Sequence, residues 1–408
     1  MSDPKRLSRA EFIALLAMLF ATIAFSIDSM LPALPEIAAE LSPNDVNKAQ
    51  LVLTSFVLGM GLGTFFTGPL SDTFGRKPVI LGGAVIYIAA AAYATVAQGM
   101  EMLLLARVLQ GLGAAAPRIA ALALVRDLYS GRDMARIMSF AMMVFTLVPA
   151  IAPMLGAGII AVAGWRSIFL AFVVFSLISC LWLGLRQPES LAPENRRPLR
   201  LKALGEAFGE MMRHPTVRLS ILAQSLCFGM LFMEISLIQP VFDKVFDRAD
   251  TFHFWFAAMA LISGAGSLLN AWLVMRVGMR RLATLAVGAQ VFLATGMTLL
   301  WLNGLPEGTG FYIFVAWSTT IFLQISLTLG NLNAITMEPM GHIAGTAASV
   351  AGGVSTVIGA GLAAPVGLLF NGTPLPLTIG VGVTAAFALL TLLWMQRAEV
   401  QMNAQAAE

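Results

Sequence analysis

The sequence predicts an all-α membrane protein of about twelve transmembrane helices, in two six-helix halves with both termini cytoplasmic. Three observations predict it. First, 58% of the 408 residues are hydrophobic and only 12% are charged, against roughly 45–50% and about 25% in soluble globular domains. The mean hydropathy of +0.83 agrees, and together these values exclude a soluble enzyme, a basic nucleic-acid-binding face and a disordered chain. Second, apolar runs of about 20 residues, long enough to cross a bilayer as a helix, recur along the whole chain. Third, Lys and Arg alternate in density between the runs. Nineteen of the 25 fall on one side, four on the other, and two, Arg107 and Arg118, lie inside runs. Cytoplasmic loops collect Lys and Arg, so this split orients the chain. The net charge of +3 is too small to imply a polyanionic partner.

Span 1 is expected near 11–33. Lys5, Arg6 and Arg9 before it imitate a signal peptide, but Asp28 interrupts the run, Pro32 and Pro35 follow, and eleven more apolar runs come after. Spans 2 to 6 are expected near 48–70, 78–98, 101–125, 136–162 and 166–185. Segment 186–217 differs in kind: it holds Arg186, Arg196, Arg197, Arg200, Lys202 and Arg213, runs up to Arg218, and has three prolines before Arg200. It reads as a cytoplasmic linker with a short amphipathic helix around Leu201–Met212. Spans 7 to 12 follow near 218–240, 254–276, 281–303, 309–335, 343–370 and 375–396. The domains are therefore 1–185, the linker 186–217, and 218–408. The turn after span 2 reads GPLSDTFGRKP and the chain after span 8 reads LVMRVGMRR, each with a Gly before cations. This internal similarity points to a parallel repeat with a site at the repeat interface near the midplane.

Four ionisable residues lie within spans: Asp28, Arg107, Arg118 and Glu234. A charge at the bilayer centre costs about 2.5–3.5 kcal/mol on insertion scales, so each should face a cavity or a partner. Asp28 and Arg107 fall at similar depth, which predicts an Asp–Arg pair. Arg107 and Arg118 are separated by about 20° around the helix and about 16 Å along it. They share a face with Gln110, Gly111 and Ala114, expected to look into a central cavity. Pro117 should loosen the backbone there. Arg118 and Glu234 differ by roughly 15 Å in height; they either bind opposite ends of a polar substrate or each find a local partner. Gln239, Asn270, Gln324, Asn331 and Asn333 are further cavity candidates, although most polar residues in spans bond a neighbouring helix. Gly59 and Gly63 read as close helix packing. Cys180 and Cys227 lie in apolar runs, so no disulfide framework is expected. No metal-ligand cluster, nucleophile triad or phosphate-binding loop is visible, and no cofactor is called for.

Several motifs resemble the major facilitator superfamily. Gly68-Pro69-Leu70-Ser71-Asp72-Thr73-Phe74-Gly75-Arg76-Lys77-Pro78 is similar to that family's loop motif, and Arg107-Val108-Leu109-Gln110-Gly111-Leu112-Gly113 to its fourth-helix motif. Pro153 and Gly156 resemble the core of the fifth-helix antiporter motif, with Ala152 and Ala157 in place of the usual glycines. Asp28 to Pro35 and Gly341 to Ser349 resemble the Bcr/CflA drug:proton antiporter branch. The resemblance implies the two-half facilitator fold, and a cytoplasmic gate at Gly68, Asp72, Gly75, Arg76 and Lys77 that holds the inner face shut. There Asp72 would favour a helix N-terminus in the other half, while Arg76 and Lys77 stay at headgroup level. The charges within the spans themselves, rather than the resemblance, put proton coupling at Asp28 and Arg107 and a substrate cavity at Gln110, Arg118, Glu234 and Gln239; Arg118 lies outside the fourth-helix motif and Glu234 outside the drug-exporter pattern. The leading expectation is a monomeric, multi-pass exporter in a bacterial inner membrane. It would exchange protons for a small drug or metabolite within the lipid bilayer, without a nucleic-acid partner or enzymatic activity. Proton-coupled import of a small anion or zwitterion is the alternative, and a non-transporting receptor or scaffold the reading from another class.

Overall fold

Apolar runs cross a bilayer only as helices or closed barrels, because every backbone N–H and C=O must be satisfied within the segment. The computed structural model describes residues 7–196, 198–199, 201–306 and 308–407; Lys5, Arg6, Arg197 and Arg200 lie outside these. Its α-helices are α1 (Arg9–Asp28), α2 (Leu34–Leu41), α3 (Leu51–Phe74), α4 (Arg76–Thr95), α5 (Met100–Leu128), α6 (Gly131–Ala163) and α7 (Arg166–Arg186), then α8 (Leu201–Arg213), α9 (Pro215–Lys244), α10 (Phe252–Val277), α11 (Met279–Leu302), α12 (Gly310–Met337), α13 (Ala344–Leu368) and α14 (Leu375–Ala407). Ten helical stretches among the described residues are long and apolar enough to cross a membrane. One of them, Gly310–Leu368, holds both α12 and α13, and α6 adds the shorter apolar stretch Leu147–Ala163. Every predicted span thus carries a helix.

Helix ends follow local chemistry. Ser8 caps α1, its hydroxyl accepting from the Glu11 amide at 3.2 Å. Pro215 opens α9, where a missing N–H costs nothing. Gly75, with φ of +105°, ends α3 and starts α4, and Gly278, with φ of +83°, does the same between α10 and α11. Only glycine takes that backbone without a steric penalty, so the two turns that looked alike in sequence share a geometry.

Two expected boundaries are corrected. Span 1 does not run unbroken to residue 33: α1 stops at Asp28, a 3-10 turn covers Leu31–Ala33, and α2 follows. Pro32 and Pro35 lack an N–H and restrict the residues before them. Asp28 is therefore the last residue of α1 rather than a mid-helix one. Span 12 is longer than its apolar part, since nothing in Arg397–Ala407 breaks the helix.

The chain divides into two compact units, Met1–Leu201 and Lys202–Glu408. In the first, α5 packs on α3 and α4. Methyl groups added at Gly59, Gly63, Gly83, Gly111 or Gly113 would meet backbone or Cβ atoms of the facing helix, so Gly59 and Gly63 are packing residues. In the second, α9 packs on α12, α13 and α14. The linker helix α8 lays Met211 against Val217, Ile221, Met340 and Ala347, which buries its apolar face on this unit.

Candidate functional site

Three groups of polar residues are built into the helices. The first is the turn between α3 and α4. Arg76 is only 8% exposed. Its Nη1 meets the Asp72 carboxylate at 2.5 Å and the Ser71 hydroxyl at 3.1 Å, and its Nε meets Asp127 at the end of α5 at 2.9 Å. The Glu189 carboxylate, just beyond α7, accepts from the Arg76 and Lys77 amides at 3.0 Å each. Those are the unpaired first N–H groups of α4, where a carboxylate is favoured by both hydrogen bonding and the helix dipole. Lys77 Nζ donates to the Gly184 carbonyl at 2.7 Å. Arg76 is thus held between two carboxylates at this turn. Gly68 lies inside α3 one turn before Asp72, and Gly75 makes the turn itself.

The second group is at the other end of α1 and in α5. Arg107 is fully buried. Its Nε donates to the Val52 carbonyl at 3.1 Å, Nη1 to Gln110 Oε1 at 2.7 Å and Nη2 to the Ser26 carbonyl at 3.0 Å. Its guanidinium lies 4.4 Å from the Phe56 ring centre. Ser26 also shares a 2.5 Å hydrogen bond with the Tyr87 hydroxyl. The predicted Asp28–Arg107 pair does not form: among the described residues the Asp28 carboxylate has neither an ion pair nor a hydrogen bond, though it is buried. Ser26, two residues before Asp28 in α1, takes the Arg107 guanidinium on its carbonyl instead. Gly156 of α6 packs on the next residue; a methyl group on it would lie 3.0 Å from the Ser29 Cα. Pro153, one turn before, is buried as well. Arg118, beyond Pro117, is half-buried and has no partner among the described residues.

The third group is a polar seam in the second unit. Ser220, Cys227 and Glu234 are each seven residues apart, so they line one face of α9. The antiparallel α12 meets them in a single register. The Ser220 hydroxyl donates to the Leu332 carbonyl at 2.9 Å and takes a bond from Thr336 at 2.9 Å; Gln324 Nε2 lies 3.2 Å from Cys227 Sγ. Ser318 stands beside Glu234. Gln239 is buried on another face of α9. Asn331 bonds Asn270 at 2.8 Å, a helix-to-helix contact, and Asn333 is exposed. At the cytoplasmic end Arg280 binds Glu399 at 2.6 Å and Glu338 at 3.2 Å beside a cavity of ≈ 520 Å³.

Asp127, Glu189 and Ser318 escaped the sequence reading. Orientation rests on Lys and Arg, so acids in the same loops drew no notice. A signal existed: Asp127 lies just beyond span 4, after Arg126, and Glu189 shortly beyond span 6 between Pro188 and Ser190.

A family model described as Major Facilitator Superfamily matches residues 14–364. A bicyclomycin resistance protein homolog of Haemophilus influenzae is 31% identical over 387 residues, covering 93% of this chain and 94% of that protein. The multidrug resistance protein MdtL of Citrobacter koseri is 26% identical over 372 residues, covering 90% and 91%. A chloramphenicol resistance protein of Pseudomonas aeruginosa is 35% identical over 175 residues, 43% of this chain and 41% of that one. Among solved structures, a D-xylose–proton symporter superposes with a TM-score of 0.72 at 14% identity, covering 93% of this chain and 97% of that chain; this likeness concerns the fold alone.

Proposed function

This chain belongs to the Major Facilitator Superfamily, and from that premise we propose that it is a proton-coupled exporter of a small drug or metabolite in a bacterial inner membrane, working by alternating access. The family makes it a multi-pass membrane transporter rather than an enzyme. The observation that supports proton coupling is Asp28. Its carboxyl is buried at the break between α1 and α2, and no described residue binds it. Arg107, the natural counter-charge, is already held by two carbonyls and Gln110. A carboxylate left unpaired in the membrane is costly, and a proton removes the charge without any rearrangement. Water reaching the α1–α2 break restores the ionised form. The α6 contact at Gly156 ties that break to a second helix, so helix movement and protonation would be linked.

The test uses the purified full-length protein in liposomes under a proton gradient. Bicyclomycin and chloramphenicol, the compounds in two relatives' names, are the first probes. Wild type is expected to move a probe against its gradient when protons flow the other way. Asp28→Asn is expected to lose uphill transport and keep substrate exchange. Undiminished uphill transport in Asp28→Asn overturns the proposal.

A second reading, import of a small anion or zwitterion, draws on Arg118. A half-buried guanidinium without a protein partner offers a planar donor fork to a carboxylate. Transport of an amino-acid-like zwitterion in the same direction as protons would favour it.

A further inference from the structure

The seam between α9 and α12 is unevenly satisfied along its length. Near the cytoplasmic end three side chains bond one another: Ser220 with the Leu332 carbonyl and Thr336, and Gln224 Nε2 with Thr336 at 2.9 Å. In the middle, Gln324 Nε2 reaches Cys227 and donates to Thr328 at 3.0 Å, while its Oε1 is unpartnered among the described residues. One further heptad outward the pattern fails. Glu234 is 0% exposed, and neither of its carboxyl oxygens has a hydrogen-bond partner among the described residues. The Ser318 hydroxyl beside it and the neighbouring Trp317 indole N–H are also unpartnered. Beyond this level the face turns aromatic, Phe242 packing at 5.2 Å from Phe311 and 6.3 Å from Phe314.

Among the described residues of this unit, no cation pairs with Glu234. On α9 the titratable groups along the way are Cys227, two turns inward, Arg218 at the cytoplasmic end, and Asp243, which pairs with Lys244 at 3.0 Å at the outer end. α12 carries no charged residue, and α13 contains neither charged residues nor His, Cys or Tyr. α14 offers Arg397 and Glu399, both at the cytoplasmic end, with Glu399 bound to Arg280. The short turn Ala249–Thr251 brings Asp250, with Arg248 stacked over Phe311, beyond the aromatic cluster. An ionised carboxylate in such a place would have only the Ser318 hydroxyl beside it and no cation. A neutral carboxyl is compatible with it.

We propose that Glu234 is a proton-binding carboxyl of the second unit, separate from Asp28 in the first, and that this structure represents its protonated form. Binding adds one proton to a carboxylate oxygen, and release breaks the same O–H bond to water. Along this face of α9 polar groups continue from Glu234 only toward the cytoplasmic end, so proton exchange takes place on that side. The inference extends the coupling assigned to Asp28 to a second carboxyl, but its test needs no transport, so the two can fail independently.

The experiment is infrared spectroscopy of the full-length protein in lipid nanodiscs, reading the C=O stretch of protonated carboxyls as pH is varied. Wild type is expected to show a component that vanishes on alkalinisation and is missing from Glu234→Gln. Asp28→Asn should leave that component in place. If Glu234→Gln fails to fold, Glu234→Asp retains the carboxyl and should shift the same component. A Glu234→Gln spectrum identical to wild type, or an unshifted one in Glu234→Asp, overturns the proposal, because Glu234 would then be ionised and held by a cation such as a substrate amine. A component that persists at alkaline pH also overturns it, because a carrier must release its proton.

Discussion

Arg107 and Arg118 lie on the same helix with opposite surroundings. Arg107 spends its donors on Val52, Ser26 and Gln110, a fully buried arrangement that a Lys could not copy, since its single ammonium lacks the planar fork. Arg118 keeps its donors unspent among the described residues. We therefore expect Arg118→Ala to weaken binding of an acid-bearing substrate by about 2–5 kcal/mol where that pair is desolvated, with Arg118→Lys recovering part; isothermal titration with the purified protein measures both. If lipophilic monocations bind wild type well and Arg118→Ala changes no affinity, Arg118 is structural. Arg76 gives a second residue-level expectation. Because Asp127 grips it as Asp72 does, Asp127→Asn and Asp72→Asn should both slow transport, while cytoplasmic-side inhibitor affinity holds. Rates and affinities measured side by side decide this, and a loss of binding in either variant would point to misfolding instead of gating. Asp72 was legible from its motif. Asp127 and Glu189 were not, because nothing in a linear sequence says which of several loop acids lies next to a given arginine.

Helix packing in the first unit depends on glycines that bring backbones together. A methyl on Gly111 would lie 2.8 Å from the Met60 amide nitrogen and collide with the Phe56 carbonyl. Backbone cannot move aside as a flexible side chain can, so Gly111→Ala should destabilise the protein by about 1–3 kcal/mol. Gly158, on α6, has nothing within 4 Å of an added methyl, and Gly158→Ala should be neutral. Thermal unfolding in detergent separates the two, and equal melting temperatures would refute the packing account. The α4 N-terminus offers another comparison. Removing the charge of Glu189 by Glu189→Gln should cost about 1 kcal/mol, the usual scale of a lost N-terminal cap, read in the same melts. Helix positions were visible in hydropathy alone, apart from the α1–α2 break and the extension of α14. Those two escaped because a window average registers apolarity and not the missing N–H of proline or the absence of a breaker.

At the scale of the whole chain, each unit carries its own polar group: the Arg76 turn and Asp28 in one, the α9–α12 seam and Arg280 in the other. The segment Ala192–Arg196, near the end of the first unit, is exposed. A chain divided after Glu194 keeps Glu189 with the α4 end it caps, so the two co-expressed pieces should reconstitute transport; loss of transport with both pieces stably inserted would show that the covalent connection itself is needed. The sequence by itself determined that the chain is an all-helical, multi-pass membrane protein and which four ionisable residues lie within its apolar runs. Those properties depend on transfer free energy, which is a sum over local residues. The tertiary structure decided how each charge is neutralised. Asp28 and Arg107, equal in depth by counting, are unpaired because two backbone carbonyls and Gln110 capture the arginine. Glu234 and Ser318, 84 positions apart, are neighbours because two antiparallel helices share a register. Partner choice depends on ångström-scale approach between distant segments, and local composition carries no record of it.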